Sequence, residues 1–194
     1  MANHNMGLGA MGGSQLLFKR DFRWTFTVNN ICNVGANIPE SFVKLASRPN
    51  WTTEDTEVDY LNAKTWIPGK TSLETLSVTY YDVATIDHQN LWNWLASVYN
   101  FTNPVTLTQA SMRSDYSATG ILVMYDGCGQ PLEQWTLGGM WPSGVNFGEL
   151  DMGSSEVSTI ELTLRYDRLT YKSICPKFTP QACCNPCSGT TGTY

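Results

Sequence analysis

Residues 140–167 read MWPSGVNFGELDMGSSEVSTIELTLRYD, a turn-rich stretch that runs directly into a regular alternation of apolar and polar residues. An alternation with a period of two is typical of a β-strand that buries one face and exposes the other. The inward-facing residues would be Ile160, Leu162, Leu164 and Tyr166. The residues before this strand contain a Trp-Pro pair and several glycines, which are typical of turns. We interpret the whole stretch as a surface for assembly and not as an active site.

The same alternation occurs elsewhere in the chain and sets the fold class. Residues 22–28 and 73–83 alternate in the same way, and residues 120–139 predict a hairpin around an Asp-Gly turn. Residues 86–100 predict one helix, capped by Asp87, with an apolar stripe on one side. We therefore predict a mainly β fold, a β-sandwich or barrel of about six to seven antiparallel strands with one α-helix.

Four other segments give weaker signals. Residues 41–47 predict a second strand or a short turn, and residues 48–60 predict a polar loop with four acidic residues. Residues 61–68 predict a strand that is closed by a turn at Pro68-Gly69. His88, in the first turn of the helix, is expected to be a solvated surface residue.

Composition limits the possible functions. Only 15% of the 194 residues are charged, against about 25% in an ordinary soluble domain. Either copies of the chain cover much of the surface, or this is an ordinary β-rich protein with a Ser/Thr/Asn surface. The net charge of −5 argues against a protein that grips nucleic acid. We expect no membrane span, because no stretch approaches ~20 apolar residues, and no secretory signal at the start.

Catalytic and cofactor motifs are not found. The sequence has no nucleophile elbow, phosphate-binding loop, dinucleotide fingerprint or zinc-protease pattern. The acidic residues of 48–60 lack the glycine and the spacing of a calcium loop, which favours a solvated acidic segment. We expect neither an enzyme nor a bound cofactor or metal.

The cysteines are distributed unevenly. Two stand alone and four crowd near the end; they are Cys32, Cys128, Cys175, Cys183, Cys184 and Cys187. The terminal cluster is compatible with disulfides, with a metal site or with free thiols, and the sequence alone does not fix a pairing. Disulfides would form only outside a reducing cytosol.

Three segments, in matching order, resemble the tube proteins of contractile-tailed bacteriophages. Residues 138–167 resemble the C-terminal part of that family, with its Gly-x-Trp-Pro corner, its Gly-Glu-Leu step and its alternating strand. Residues 60–83 resemble the family's long hairpin with a Pro-Gly-Lys turn, and the predicted helix falls where the family has its single helix. The resemblance covers roughly residues 20–170.

The resemblance implies a homo-hexameric ring whose sheets join between subunits, stacked into a tube inside a contractile sheath. The implied partners are further copies of the chain, the tail sheath protein, the baseplate and tail terminator proteins, the tape measure protein, and DNA passing through the lumen. The implied location is the virion tail tube, assembled in the host cytoplasm. The chain would divide into a flexible arm (1–18), a tail-tube β domain (19–172) and a Cys-rich extension (173–194), whose cysteines could cross-link subunits after lysis.

The resemblance also suggests which residues make the contacts, since the segment around 48–63 resembles the inter-ring stacking segment of the family. The residues expected at inter-subunit or ring-stacking contacts are Trp51, Glu54, Asp55, Glu57, Asp59, Trp141, Pro142, Gly148 and Glu149. The alternative for these residues is an ordinary sandwich core with turns. The alternative functions are a tube subunit of a contractile injection or toxin particle, a tail terminator or baseplate tube-initiator of the same fold, and a β-sandwich enzyme.

Overall fold

A computed structural model describes residues 19–31, 37–101, 112–125 and 129–174. The predicted arm, all six cysteines and the Asp-Gly turn of the 120–139 hairpin lie outside the described residues. The described part forms nine strands and one α-helix, with short 3₁₀ turns at Glu40–Phe42 and Arg113–Asp115. The bounds are β1 (Trp24–Asn29), β2 (Val43–Ala46), β3 (Trp51–Tyr60), β4 (Ala63–Leu73), β5 (Leu76–Tyr81), α1 (Ile86–Val98), β6 (Ala118–Tyr125), β7 (Pro131–Asn146), β8 (Thr159–Arg165) and β9 (Arg168–Ser173).

Strand β7, which is 16 residues long, belongs to both layers of the fold. Its first half lies between β6 and β9, and β1 extends that layer beyond β6. Its second half pairs with β8, and β5 and β2 follow in order. All of these pairings are antiparallel. The mainly β fold is confirmed, although the described part has more strands than the alternation predicted, because β3 and β9 were not anticipated.

The core follows the predicted alternation. Ile160, Leu162 and Leu164 of β8 are buried, while Glu161 between them and Arg165 after them are exposed. Strand β5 contributes the buried residues Leu76, Val78 and Tyr80 to the core, and helix α1 contributes Leu91, Trp94 and Leu95. These side chains remove a continuous apolar surface from water, which is the main favourable contribution to folding.

The start of the helix differs from the sequence-based expectation in two ways. The N-cap is Thr85 and not Asp87, because the Thr85 hydroxyl accepts a hydrogen bond from the His88 backbone N–H at 3.3 Å. His88 is only 3% exposed and is therefore not a solvated surface residue. Its ring is in edge contact with Phe42 and Trp92, and its Nε2 atom lies 3.1 Å from an Asp82 carboxylate oxygen.

The prediction of a loop followed by a Pro68-Gly69 turn was wrong. Residues 51–60 form β3, Pro68 and Gly69 lie inside β4, and the chain reverses at Leu61 and the residue after it. Thr53 pairs with Thr71 and Asp55 with Pro68, so three residue steps of β4 face two of β3. This bulge accommodates a proline inside a strand, because a bulged position tolerates the missing N–H.

The Trp141-Pro142 pair is likewise part of a strand and not a corner. Pro142 pairs with Leu164 and Gly144 with Thr163, so Ser143 is the extra residue of a bulge in β7. Strand β7 continues to Asn146, and the turn-rich segment lies between Asn146 and the start of β8 at Thr159. Pro68 and Pro142 therefore each lie next to a bulge.

Gly139 is the residue at which β7 passes from one layer to the other, and it has a φ of +65°. A Cβ atom there would collide with the Arg113 guanidinium and lie 3.1 Å from an Asp167 carboxylate oxygen. These two side chains form an ion pair over this point, and Arg113 also donates to the Gly139 carbonyl at 3.3 Å. The positive φ disfavours an L-residue at this position, and an added Cβ would also displace the end of the Arg113 side chain.

Replacing Gly139→Ala should lower the free energy of unfolding by about 1–2 kcal/mol, because an L-residue is strained at positive φ. The matched control is Gly144→Ala in the same strand, where an added Cβ would lie 3.7 Å from Thr163. That control should change the free energy of unfolding by less than about 0.5 kcal/mol. Urea denaturation of both variants checks the prediction, and equal losses in the two would contradict it.

The Tyr80 hydroxyl is buried with no hydrogen-bond partner in the described part of the chain. Burial raises the pKa of this hydroxyl, so the native state holds the proton that the unfolded chain releases above pH about 10. Stability contributed by this group is therefore present below that pH and is lost as the pH rises through and beyond it.

Tyr80→Phe should leave the stability at pH 7 unchanged or raise it by up to about 1 kcal/mol, because an unsatisfied buried polar group is removed. The variant should also lose less stability than the parent protein between pH 7 and pH about 10.5. Urea denaturation at the two pH values measures both effects. Identical alkaline losses in the two proteins would show that Tyr80 does not contribute.

Candidate assembly surface

Strands β3 and β4 form a hairpin, residues 51–73, that constitutes a two-stranded sheet separate from the seven-stranded one. The hairpin is joined to the body at its root, where the Glu74 N–H donates to the Asn50 carbonyl at 3.0 Å. The Tyr166 hydroxyl donates to the same carbonyl at 3.2 Å. Burial raises the pKa of Tyr166, so this hydroxyl remains a neutral donor. The rest of the hairpin projects from the body.

The two faces of the hairpin differ in chemistry. Because side chains alternate along a strand, Asp55, Glu57 and Asp59 share one face, which also carries Trp51 and Trp66. On this face Glu57 forms an ion pair with Lys64 of the opposite strand. The other face carries Val58 and Ile67. Both faces thus present large apolar side chains, and the face with Trp51 and Trp66 also carries a row of carboxylates.

This hairpin leaves its own apolar side chains in water. Trp66 is 58% exposed and Leu61, at the turn, is 90% exposed. A single two-stranded hairpin is at best marginally stable in water and needs another surface to pack against. Exposed apolar groups that are grouped together mark surfaces for contact with other molecules. Within the described residues, the hairpin is the largest projecting element with these properties.

A second exposed region, residues 145–157, consists of the last two residues of β7 and the segment after it. Its side chains include several large apolar groups in water: Val145, Phe147, Leu150, Met152 and Val157. The Phe147 ring stacks on Trp92 of helix α1, with centroids 5.2 Å apart and planes 4° apart. Two side-chain turns shape the region: Asn146 accepts from the Gly148 N–H at 3.0 Å, and Asp151 accepts from the Gly153 N–H at 2.9 Å. Helix α1 thus positions the start of this region.

The residues expected at inter-subunit contacts fall into three places. Trp51 and the four acidic residues lie on the exposed hairpin. Trp141 and Pro142 lie in β7, where Trp141 is half-buried against the Tyr116 ring at 5.9 Å and Pro142 is buried. Gly148, with a φ of +72°, and Glu149 lie in the exposed 145–157 region. Their contacts with other chains remain a prediction.

Apart from Trp51, sequence reasoning did not single out the apolar residues of the hairpin. Leu61, Trp66 and Ile67 are exposed together with the acidic row. The available signal was the adjacent pair Trp66-Ile67. Neighbouring residues of a strand point to opposite faces, so a two-stranded hairpin leaves at least one of them without cover from its own chain.

Metal sites and membrane-spanning helices are two further features that the described residues can be assessed for. Across the described ranges, no group of three or more His, Cys, Asp or Glu side chains could hold a metal ion. None of the helices in the described part is long and apolar enough to cross a membrane.

A two-layer β fold with a projecting, partly apolar hairpin defines a structural subunit whose surface is suited to contacts with other chains. The family model described as T4-like virus tail tube protein gp19 matches residues 48–170. This match spans more than half of the 194 residues, and the chain belongs to that family. It is accordingly a structural protein of the tail tube family, as a tube or tube-terminator subunit, and not an enzyme.

Solved structures share the fold at low sequence identity. A chain of the anti-feeding prophage cap, a tube-terminating cap, is 16% identical with a TM-score of 0.63 and covers 87% of this chain and 99% of that one. A chain of the anti-feeding prophage baseplate is 19% identical with a TM-score of 0.59, covering 78% and 93%. A chain of an extracellular contractile injection system, from its sheath/tube terminator, is 17% identical with a TM-score of 0.58, covering 79% and 96%. No curated protein sequence matches the chain.

Trp66 and Trp94 should respond very differently to truncation, because Trp66 is exposed on the hairpin and Trp94 is fully buried. Trp94→Ala should cost roughly 3–5 kcal/mol of unfolding free energy, and it also removes the 2.8 Å hydrogen bond from the indole to the Tyr116 carbonyl. Trp66→Ala should cost less than about 0.5 kcal/mol in the dissociated subunit. Denaturation at low protein concentration measures both, and a large loss for Trp66→Ala would place it in the packing of its own chain.

Proposed function

We propose that this chain forms hexameric rings that stack into a tail tube inside a contractile sheath, and that the lumen carries DNA during ejection. The tube would begin at a baseplate and end at a terminator, with the tape measure protein inside it during assembly. Membership in the tail tube family supports this assignment. The observation that carries it is the projecting hairpin, whose apolar side chains have no cover within the described residues of their own chain.

Open strand edges support closure into a ring. In the described part, β1 and β9 flank one layer, with β1 paired on its outer side only through the Val28–Ile38 bridge, and β2 and the second half of β7 flank the other. Unpaired N–H and C=O groups along such edges favour pairing with another strand. A head-to-tail arrangement of identical subunits pairs one edge with another and closes when the rotation completes a circle. The baseplate with the similar chain is described as six-fold symmetrised, which supports six subunits in the ring.

Charge supports a conduit for DNA. The net charge of −5 disfavours retention of phosphates, because like charges repel and few basic groups are available to replace counterions. DNA could therefore slide past without being held. Partners follow from the proposed assembly: another similar chain belongs to a sheath-tube complex of an injection system, at 15% identity and a TM-score of 0.54.

Most of the hairpin can be deleted without changing any residue of the seven-stranded sheet. Thr53 and Thr71 pair directly and their hydroxyl oxygens are 3.0 Å apart, so an Asn-Gly turn can join them in place of residues 54–70. We expect this variant to fold and to form rings that do not stack, whereas the parent protein forms tubes of uniform width. Negative-stain electron microscopy and the near-ultraviolet circular dichroism of both proteins measure assembly and folding.

A matched control keeps the hairpin and changes only charge: Lys70→Gln, at an exposed position of β4, should still give tubes. Long tubes from the hairpin-deleted variant would refute the stacking role. Single rings from the parent protein under every condition would favour a terminator over a tube subunit. Particles that contain tubes but no genome would favour an injection particle over a phage tail.

A further inference from the structure

Two basic side chains of strand β9, Arg168 and Lys172, have no ion-pair partner within the described residues. Both are exposed, and because they are four residues apart in a strand they lie on the same face, with the exposed Thr170 between them. The β7 residues opposite the two cations are Gly138 and Gln134, which are uncharged. This face of β9 therefore carries two positive charges that no described side chain balances.

The carboxylates that lie beside β9 in the fold are already paired with other cations. Asp167, just before β9, forms an ion pair with Arg113. Glu133 of β7 is buried and forms ion pairs with Lys19 and Arg48. A buried charge of this kind is tolerated because it is paired. Neither carboxylate is thus available to balance the two cations of β9.

The acidic face of the hairpin has the complementary charge pattern. The middle carboxylate of its row, Glu57, is paired with Lys64 of the same hairpin. Asp55 and Asp59 on either side of it are exposed and have no ion pair among the described residues. Residues four apart in a strand are separated by roughly 13 Å. The two unpaired carboxylates of β3 therefore have the same spacing as the two unpaired cations of β9.

The two charged surfaces begin at the same end of the subunit but are not joined within it. The Tyr166 hydroxyl, in the turn before β9, donates to the Asn50 carbonyl at the root of the hairpin, so β9 begins where the hairpin leaves the body. No ion pair of the described part joins the acidic row to β9. Strand β3 has ten residues and β9 has six, which correspond to roughly 33 Å and roughly 20 Å. A hairpin that projects from one copy is therefore long enough to span the β9 of another.

We propose that the acidic face of the hairpin docks on the basic face of β9 in a second copy of this chain, in the adjacent ring, with Asp55 and Asp59 paired to the two cations. This inference rests on the stacking function proposed above and names the surface that receives the hairpin. Ile121 and Val123 of β6, half-buried on the same face of that layer, offer apolar surface to the Trp66 ring.

The charges and the apolar groups have different roles in this contact. Exposed ion pairs are individually weak, whereas the arrangement of charges across an interface fixes its register and disfavours misaligned partners. The two ion pairs would therefore set the position of one ring on the next, and the apolar contact would supply the burial.

Charge reversal on either side tests the contact in the full-length chain. The variants Arg168→Glu/Lys172→Glu and Asp55→Lys/Asp59→Lys each turn two attractions between rings into repulsions, so each alone should give rings but no tubes. Mixed in equal amounts, the two variants should form tubes again, because each hairpin can then meet a β9 face of opposite charge in alternating rings. Negative-stain electron microscopy detects the tubes, and near-ultraviolet circular dichroism shows whether each variant is folded.

The matched control is Arg20→Glu/Lys44→Glu, which changes the net charge equally at exposed positions outside both faces and should still give tubes. Tubes of parental length from either reversed variant alone, or no tubes from their mixture, would overturn the docking on β9. If the hairpin-deleted variant still failed to stack, the proposed stacking function would stand without this docking surface. Tubes from the deletion, or none from the parent protein, would refute the stacking function itself.

Salt dependence tests the same contact with a milder variant that adds no repulsion. Exposed charges are screened as the ionic strength rises from about 0.05 M to about 0.5 M. The fraction of protein that sediments as tubes should therefore fall more steeply with salt in the parent protein than in Arg168→Gln/Lys172→Gln. Equal salt dependence in the two proteins would contradict the proposed ion pairs, whether or not the reversed variants fold.

Discussion

A single strand, β7, holds two layers together, and the rest of the fold depends on that continuity. Its first half pairs with β6 and β9 and its second half with β8. A strand can change layers only if its backbone bends without losing its hydrogen bonds, which is the role of bulges and of residues that tolerate unusual φ values. Gly139, with the Arg113–Asp167 ion pair over it, and the bulge at Ser143 provide these bends. The core between the layers follows from the geometry that this strand imposes.

The same continuity leaves the structure open at its margins. One strand that serves two layers gives each layer two outer edges, and within the described residues those edges have no partner on their far side apart from the isolated Val28–Ile38 bridge at β1. The hairpin adds a second demand for a partner, since its Trp66 and Ile67 lie in water. The strand edges offer backbone groups for hydrogen bonds with another strand, whereas the hairpin offers apolar side chains for packing against another surface. In the assembly proposed above, a ring would supply the first kind of contact and a stack of rings would supply the second.

The parts of the fold that could be predicted from the sequence are those whose apolar side chains are buried within the same subunit. The alternation of β8 and β5, and the stripe of α1, reflect burial inside one subunit, so a period of two or of 3.6 identified them. His88 was misjudged because burial there depends on Phe42 and Trp92, which are distant from each other in sequence. Pro68 and Pro142 were taken as turn residues because local preference cannot reveal a bulge, which is defined by pairing with a second strand. Strand β9 escaped notice because its exposed residues outnumber its half-buried ones.

Strand β3 of the hairpin was not predicted for a different reason, and that reason bears on function. Strand β3 reads WTTEDTEVDY, with neither an apolar face nor the turn residues of a loop at its centre. A strand usually shows alternation because one face packs against its own core. Here neither face of the strand packs against the seven-stranded sheet of its own chain, so burial in the subunit's core does not constrain which residues the strand contains. Its mixture of carboxylates and large apolar groups is instead what a contact with a second molecule selects, apolar groups for burial and charges for register and orientation. In the assembly proposed above, this strand, which has no alternating apolar pattern, packs against another chain.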